Sequence, residues 1–437
     1  ASAALKQLLE DPNLHIDSFF LDGFTPSRNP EMWSDQLFQE MKLLSASPSR
    51  FATFTSASHV RQGLQAAGFT VSKSAGFAGK REMLIGHINS NSLQRQTSKL
   101  NWDLAPNPLS SPAPRAMILG AGLAGASTAN ALARRGWQVT VLDANSIASA
   151  ASGNRQGVLY TRISHRHSSL NSFSIHSYSY ALRLYKQLLN DGALIEGQDG
   201  ELCGALHLLS KESMNADYLA TVESLPQIVE YLDSSAAAAI SGLPDCPAGL
   251  FFPAAGWLQP AAVCRALLQH ENIQIRENCD VLNPRHYDGN WHLHDPSDHV
   301  VQSGPILIVA TGHDSNQWSE TDWLPLQKIR GQVTHLPTSS ALESLRTVIC
   351  HDGYLPPAVD EIHCMGATFE LDGDDPQVRT DSHQFNLHKL EQALQLNLPE
   401  PNWGSLNGRV GFRCASPDYL PMVGPIPIRE RVLEDFA

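Results

Sequence analysis

The chain has 437 residues, an apolar content of 42% and a formal net charge of −13, enough for two or three domains with sizeable cores. The acidic balance excludes nucleic-acid binding by bulk charge and leaves room only for a local basic patch. No run approaches the roughly 18 apolar residues of a membrane span, no signal-peptide core opens the chain, and the seven cysteines lie scattered without paired spacing, the usage of a cytoplasmic protein with reduced thiols. No spacing suits a metal site.

Residues 1–90 alternate helix and strand. An amphipathic stretch near 2–10 precedes an apolar run, Ile16 to Leu21, that ends in Asp22. A loop through Trp33 follows, and Ser34 is placed to cap a helix over Asp35–Leu44. A strand at Phe51–Thr55, a helix at His59–Ala67 and strands at Thr70–Ser74 and Glu82–His87 complete what reads as the second half of an α/β domain. Residues 91–114 are polar and rich in Ser and Pro, without periodicity, and read as an interdomain linker.

The next thirty residues carry the strongest signal. A short apolar run reaches Gly120-Ala-Gly122-Leu-Ala-Gly125. An alanine-rich helical stretch follows, then a second apolar run that ends in Asp143. This is a βαβ unit with a dinucleotide fingerprint in its required context. Gly120 permits the tight turn, Gly122 lets backbone approach a pyrophosphate, and Gly125 lets helix and strand pack closely. The helix N-terminus, with Leu123 and Ala124, offers free amides to phosphate. Asp143 is placed to accept ribose hydroxyls.

Beyond it lie a small-residue loop, Ala151-Ser-Gly-Asn-Arg-Gln-Gly157, a helix near 172–190, and strands at Gly204–Leu209, Pro305–Ala310, Gly331–Leu336 and Ile362–Phe369. Ser152, Gly153, Asn154 and Gln156 would let a flat cofactor lie against backbone and fixed hydrogen-bonding groups.

The order of these parts continues through Gly256-Trp-Leu-Gln-Pro260, Ala310-Thr-Gly312, Arg330-Gly-Gln332, Gly411-Phe-Arg413, Pro417-Asp418 and Pro421-Met-Val-Gly424. It resembles the superfamily of D-amino-acid oxidase and glycine oxidase. The resemblance implies FAD held by the fingerprint, Asp143, the 152–156 loop, Thr311 and Gly312. It also implies that Arg413 pairs with a substrate carboxylate, with Arg409 as the nearest competitor and Arg330 and Gln332 beside the substrate. A guanidinium fork suits a carboxylate because it binds both oxygens at once.

Four stretches narrow the resemblance: Phe20 to Trp33, Ala52-Thr-Phe-Thr55, Val60 to Phe69 and Gly79-Lys-Arg-Glu-Met83. They are similar to the bacterial bifunctional family that finishes 5-methylaminomethyl-2-thiouridine at the tRNA wobble position. The implied architecture is a partial class I methyltransferase-like Rossmann domain (1–90), then an FAD-binding Rossmann-like domain with an inserted α+β substrate domain (115–437). The implied chemistry is oxidative removal of a carboxymethyl group from 5-carboxymethylaminomethyluridine, then methylation of the exposed amine by S-adenosylmethionine in the intact enzyme. Asp22 would contact or deprotonate that amine, and Asn29 and Trp33 would shape the uridine pocket.

The anticodon loop would be met by basic residues: Lys80 with Arg81, Arg134 with Arg135, and Arg155, Arg162 and Arg166 with His165 and His167. No protein partner is expected, and a monomer suffices. Two departures from the family stand out. No glycine-rich loop precedes Asp22, so the chain is expected to hold S-adenosylmethionine poorly. The glycine-rich strand and helix that the family carries after Gly424 are missing, so both ends read as cut. The competing readings are an oxidase of a free small amine, which would have no use for residues 1–90, and an inactive tRNA-binding fragment.

Overall fold

A computed structural model describes residues 5, 8–9, 15–22, 25–76, 81–88, 114–161, 163–164, 168–209, 216–281, 283–371, 373–427, 429–430 and 433. The expected linker and most of the first amphipathic stretch lie outside them. The chain divides into two compact units, Leu109–Ile426 and Ala1–Pro108 with Pro427–Ala437.

The smaller unit carries a four-stranded sheet from β1 (Ile16–Leu21), β2 (Ser45–Thr53), β3 (Thr70–Ala75) and β4 (Glu82–Ile88), in the order β1-β2-β4-β3. Only β1 and β2 run parallel; β4 is antiparallel to both its neighbours. Helices α1 (Asp35–Leu44) and α2 (Ser58–Ala66) connect the strands. Ser34 caps α1, its hydroxyl accepting the Leu37 amide at 3.3 Å, which satisfies one of the free N–H groups of the first turn. The core gathers Phe19, Phe38, Met41, Leu44, Phe51, Leu64 and Leu84. Alternation along the strands sends Ser18, Phe20, Arg50, Ser72 and Ile85 the other way, into an open groove of about 650 Å³, where Phe20 is 83% exposed. β2 begins at Ser45, directly after α1, several residues earlier than the composition suggests.

The larger unit opens with β5 (Arg115–Leu119), α3 (Leu123–Ala133) and β6 (Gln138–Leu142). These join β7 (Ile273–Arg276) and β8 (Leu307–Val309) in an all-parallel sheet of order β7-β6-β5-β8. α3 and the helix Pro260–Leu268 bury its apolar side through Ala126, Ala129, Val139, Val141, Val263 and Leu267. Both faces of such a sheet need cover, which is why β5 and β6 read as nearly continuous apolar runs. A three-stranded antiparallel meander, 283–304, stands between β7 and β8.

The second architecture in this unit is a nine-stranded sheet. Its long strand β9 (Gln327–Pro337) pairs antiparallel with Ile362–Gly366 and with β10 (Asn407–Ala415). The expected Gly331–Leu336 strand is the middle of β9. The expected 172–190 helix is Ser169–Asn190. Gly157–Leu159 pairs with Gly256–Leu258, which brings the 152–157 loop beside the Gly256-Trp-Leu-Gln-Pro260 segment.

Candidate functional site

Gly120 sits at φ +99°, and a Cβ there would stand 2.5 Å from the Ala310 carbonyl oxygen. The turn is therefore closed to any side chain. A methyl at Gly125 would overlap the Gly120 carbonyl, so the helix start lies tight against the turn. Among the described residues the amides of Ala124 and Gly125 have no hydrogen-bond partner. They are donors left over at a helix N-terminus, where the positive end of the helix dipole favours an anion.

Leu123 donates its amide to Ser152 Oγ at 3.1 Å. Ala148 donates to the Ala121 carbonyl at 3.2 Å. These two bonds seat the 148–154 loop on the fingerprint turn. Asp143 Oδ2 accepts the Ala121 amide at 2.7 Å and Oδ1 accepts the Asn145 amide at 2.9 Å. Each oxygen keeps a second acceptor position for a ribose hydroxyl. Thr311 and Gly312 follow β8 directly; the Ala310 amide bonds to Leu119, and Gly312 lies beside Cys414 on β10. The donor set, the excluded Cβ positions and the acid at the end of β6 fit a dinucleotide with a pyrophosphate over the α3 N-terminus.

The arginines divide by strand parity. In the unbroken β9–β10 register, Arg413 faces Ile329, Arg409 faces Val333 and Arg330 faces Phe412. Directly opposed residues share a face and neighbours alternate. Arg409 and Arg413 thus occupy one face, and Arg330 and Gln332 the other.

Arg413 is exposed, and no described residue bonds or ion-pairs with its guanidinium. Near it stands the Tyr354 hydroxyl, with the Asn154 side chain beside it. Burial pushes that phenol well above its ordinary range, with Arg413's charge acting the other way. No spacing in the sequence singled out Tyr354; it reaches the site through the pairing of Tyr354 with Gly366 across the sheet.

Arg330 and Gln332, expected near substrate, are fully buried and held from within. Arg330 donates to the carbonyls of Asp375 (2.7 Å) and Gln377 (2.6 Å), to Glu370 (3.1 Å) and to Gln332 Oε1 (3.4 Å). Gln332 also accepts the Arg379 amide and donates to the Arg379 carbonyl, both at 2.8 Å. The helix Thr380–Leu394 covers this face, with Asn386 bonded to Gln332 and Thr334. Gln156, expected at the cofactor, is buried as well. It joins the Pro357 carbonyl (3.0 Å) and the Cys364 amide (3.2 Å). Arg409, expected as Arg413's competitor, donates to Asn154 Oδ1 at 2.9 Å, to the Ser149 carbonyl at 2.8 Å and to the Ala150 carbonyl.

In the smaller unit Asp22 is exposed at the end of β1, and Asn29 is partly buried just before the 3₁₀ turn Pro30–Trp33. Trp33 lies in the core, edge-on to Phe54 at 5.7 Å, so its bulk is spent on packing. Of the basic groups, Arg81, Arg134 and Arg135 are exposed, and Arg155 pairs with Asp360 at 3.4 Å. Lys80, Arg162, His165, Arg166 and His167 lie outside the described residues. Among the described residues no helix is long and apolar enough to cross a membrane, and no cluster could hold a metal ion.

The Cβ positions excluded at Gly120 and Gly125, with Asp143 bonded to the turn from the end of β6, mark a dinucleotide-binding α/β protein. Residues 115–434 match the model of the FAD dependent oxidoreductase family, and residues 1–89 match that of the S-adenosyl-L-methionine-dependent methyltransferases. The chain belongs to the FAD-dependent oxidoreductase family. Its curated relatives include a protein of Stutzerimonas stutzeri, 38% identical over 99% of this chain, and one of Chromobacterium violaceum, 40% identical over 96% of it. Both are named tRNA 5-methylaminomethyl-2-thiouridine biosynthesis bifunctional protein MnmC. The chain spans 65% and 63% of their lengths. Among solved structures, glycine oxidase of Geobacillus kaustophilus superposes with a TM-score of 0.59 at 19% identity, over 72% of this chain and 87% of that one. Iminodiacetate oxidase of a Chelativorans species does so at 0.57 and 23%, over the same shares. At these identities the likeness is one of fold.

Proposed function

We propose that this chain carries the oxidase part, and a portion of the methyltransferase part, of a tRNA wobble-uridine modification enzyme. The reading divides the chain into a methyltransferase-like segment, 1–90, a linker, 91–114, and an FAD-dependent oxidoreductase domain, 115–437. The observation that carries it is the match along nearly the whole chain to proteins named for 5-methylaminomethyl-2-thiouridine biosynthesis, with both family models in the same order.

The site chemistry is consistent with a substrate that is an N-substituted glycine. FAD would be held by the fingerprint, Asp143, the 152–154 loop and the Thr311-Gly312 turn, and would supply the acceptor for the hydride lost from the glycine carbon. Arg413 would take the substrate carboxylate bidentately, which fixes the position of the glycine carbon. The C–N bond becomes an imine as a hydride and a proton leave. Water adds to the imine and splits it to glyoxylate and the primary amine of 5-aminomethyl-2-thiouridine. In the intact enzyme S-adenosylmethionine methylates that amine; Asp22 is the strand-end group that would accept its proton, with Asn29 nearby. The tRNA is met by exposed basic groups such as Arg134 and Arg135, in the cytoplasm, by a monomer.

The test is nucleoside analysis of tRNA bearing the 5-carboxymethylaminomethyl group, incubated with the FAD-reconstituted chain. Conversion to the 5-aminomethyl nucleoside with release of glyoxylate is expected. Turnover of free glycine or sarcosine with the tRNA left unchanged would overturn the reading in favour of a small-amine oxidase.

A further inference from the structure

Arg409 is a half-buried cation with no carboxylate partner among the described residues. Burial pulls its pKa below the ordinary guanidinium value. All its bonds go to one short loop: the carbonyls of Ser149 and Ala150 and the side chain of Asn154. The guanidinium closes over Gly153, where a Cβ would stand 2.5 Å from Nη2, 2.7 Å from the Ala148 carbonyl oxygen and 2.9 Å from Cζ. Between and just before those contacts, Ser152 and Ala148 tie the same loop to the fingerprint turn. Arg413 stands four residues further along the same strand face.

We propose that Arg409 is a positioning residue: it clamps the 149–154 loop between β10 and the α3 N-terminus in the shape that accepts the flavin nucleotide. It does not itself bind the substrate carboxylate. Three acceptors around one planar fork demand a guanidinium, and a lysine ammonium cannot span them. The unpaired charge also favours an anionic ligand in the cradle. This inference rests on the FAD reading above, and the experiment separates the two.

FAD affinity of the apoprotein is measured by fluorescence quenching for the native chain, Arg409→Met, Arg409→Lys, Arg409→Ala, Gly153→Ala and the Gly153→Ala/Arg409→Met double variant, each with its thermal midpoint. Arg409→Met is expected to weaken FAD binding at least tenfold, with a shifted visible flavin spectrum. Arg409→Lys should stay close to Arg409→Met, and methylguanidinium should restore binding to Arg409→Ala. Gly153→Ala, whose methyl meets both the fork and the Ala148 carbonyl, should cost at least as much as Arg409→Met, and the double variant should cost less than the sum of the two. Should Arg409→Met fail to fold, Arg409→Lys and the methylguanidinium rescue of Arg409→Ala decide.

Native FAD affinity in Arg409→Met with a raised KM for the N-substituted glycine alone would make Arg409 a carboxylate ligand and overturn the clamp. So would full rescue by lysine, or additive losses. A native chain that binds no FAD would overturn the function itself.

Discussion

At the turn after β5, the groups that matter come from one stretch of sequence. Gly120, Gly122, Gly125 and Asp143 sit where strand, helix and strand place them, and the constraint is steric: backbone stands where a side chain would be. On β9 and β10 the constraint is one of partners. Arg330 finds its acceptors 40 to 47 residues away, at Glu370, Asp375 and Gln377, and Arg409 finds its own some 255 to 260 residues back. Arg413, on the same pair of strands, finds none among the described residues. A glycine in a fingerprint declares its role locally. An arginine takes its role from whatever surrounds its guanidinium, because a buried cation with five donors is costly without acceptors.

The comparison is broken most severely at the turn. Gly120→Ala places a methyl 2.5 Å from the Ala310 carbonyl in a left-handed backbone. FAD binding is expected to fall by at least two orders of magnitude, and a purified variant that keeps its yellow colour would refute the cradle.

On the buried face, Arg330→Met leaves the Asp375 and Gln377 carbonyls without donors, a loss of about 3 kcal/mol in stability. It should appear as a lowered denaturant midpoint with little change in substrate KM at permissive temperature. A rise in KM with unchanged stability would put Arg330 at the substrate after all.

On the open face, Arg413→Gln should do the reverse. The thermal midpoint stays, and kcat/KM for the carboxylate substrate falls roughly a hundredfold, about 3 kcal/mol for a lost charged pair. Unchanged kinetics would remove Arg413 from the reaction.

A gentler probe is acid. Burial pushes His351 down to about 4, so it folds neutral. The unfolded chain takes up this proton near 6.5 and the folded one only near 4, so stability is lost as pH falls through that window, at up to about 1.4 kcal/mol per unit. His351→Gln should flatten the dependence of the thermal midpoint on pH between 6.5 and 4; parallel curves would exclude His351 as a source. The least effect is expected at Arg155→Ala, whose partner Asp360 is 83% exposed. Such a pair is worth little, and a large shift in midpoint would mark Arg155 as more than a surface charge.

Hydrophobic period, glycine spacing and the acid at Asp143 sufficed, from the sequence alone, for the βαβ unit, the family resemblance and most element positions, because these depend on neighbours within a few turns of chain. Ser34 as a cap was legible for the same reason. Tertiary structure alone decided which residues of the Arg330-Gly-Gln332 and Arg409…Arg413 segments face open space. Strand parity was readable in each segment, but not which face the helix Thr380–Leu394 would cover. Trp33 and Gln156 were absorbed by cores and staples for that reason, and Tyr354 was drawn into the site. A polar side chain's function is set by its unanswered hydrogen bonds, and only the folded chain shows which remain.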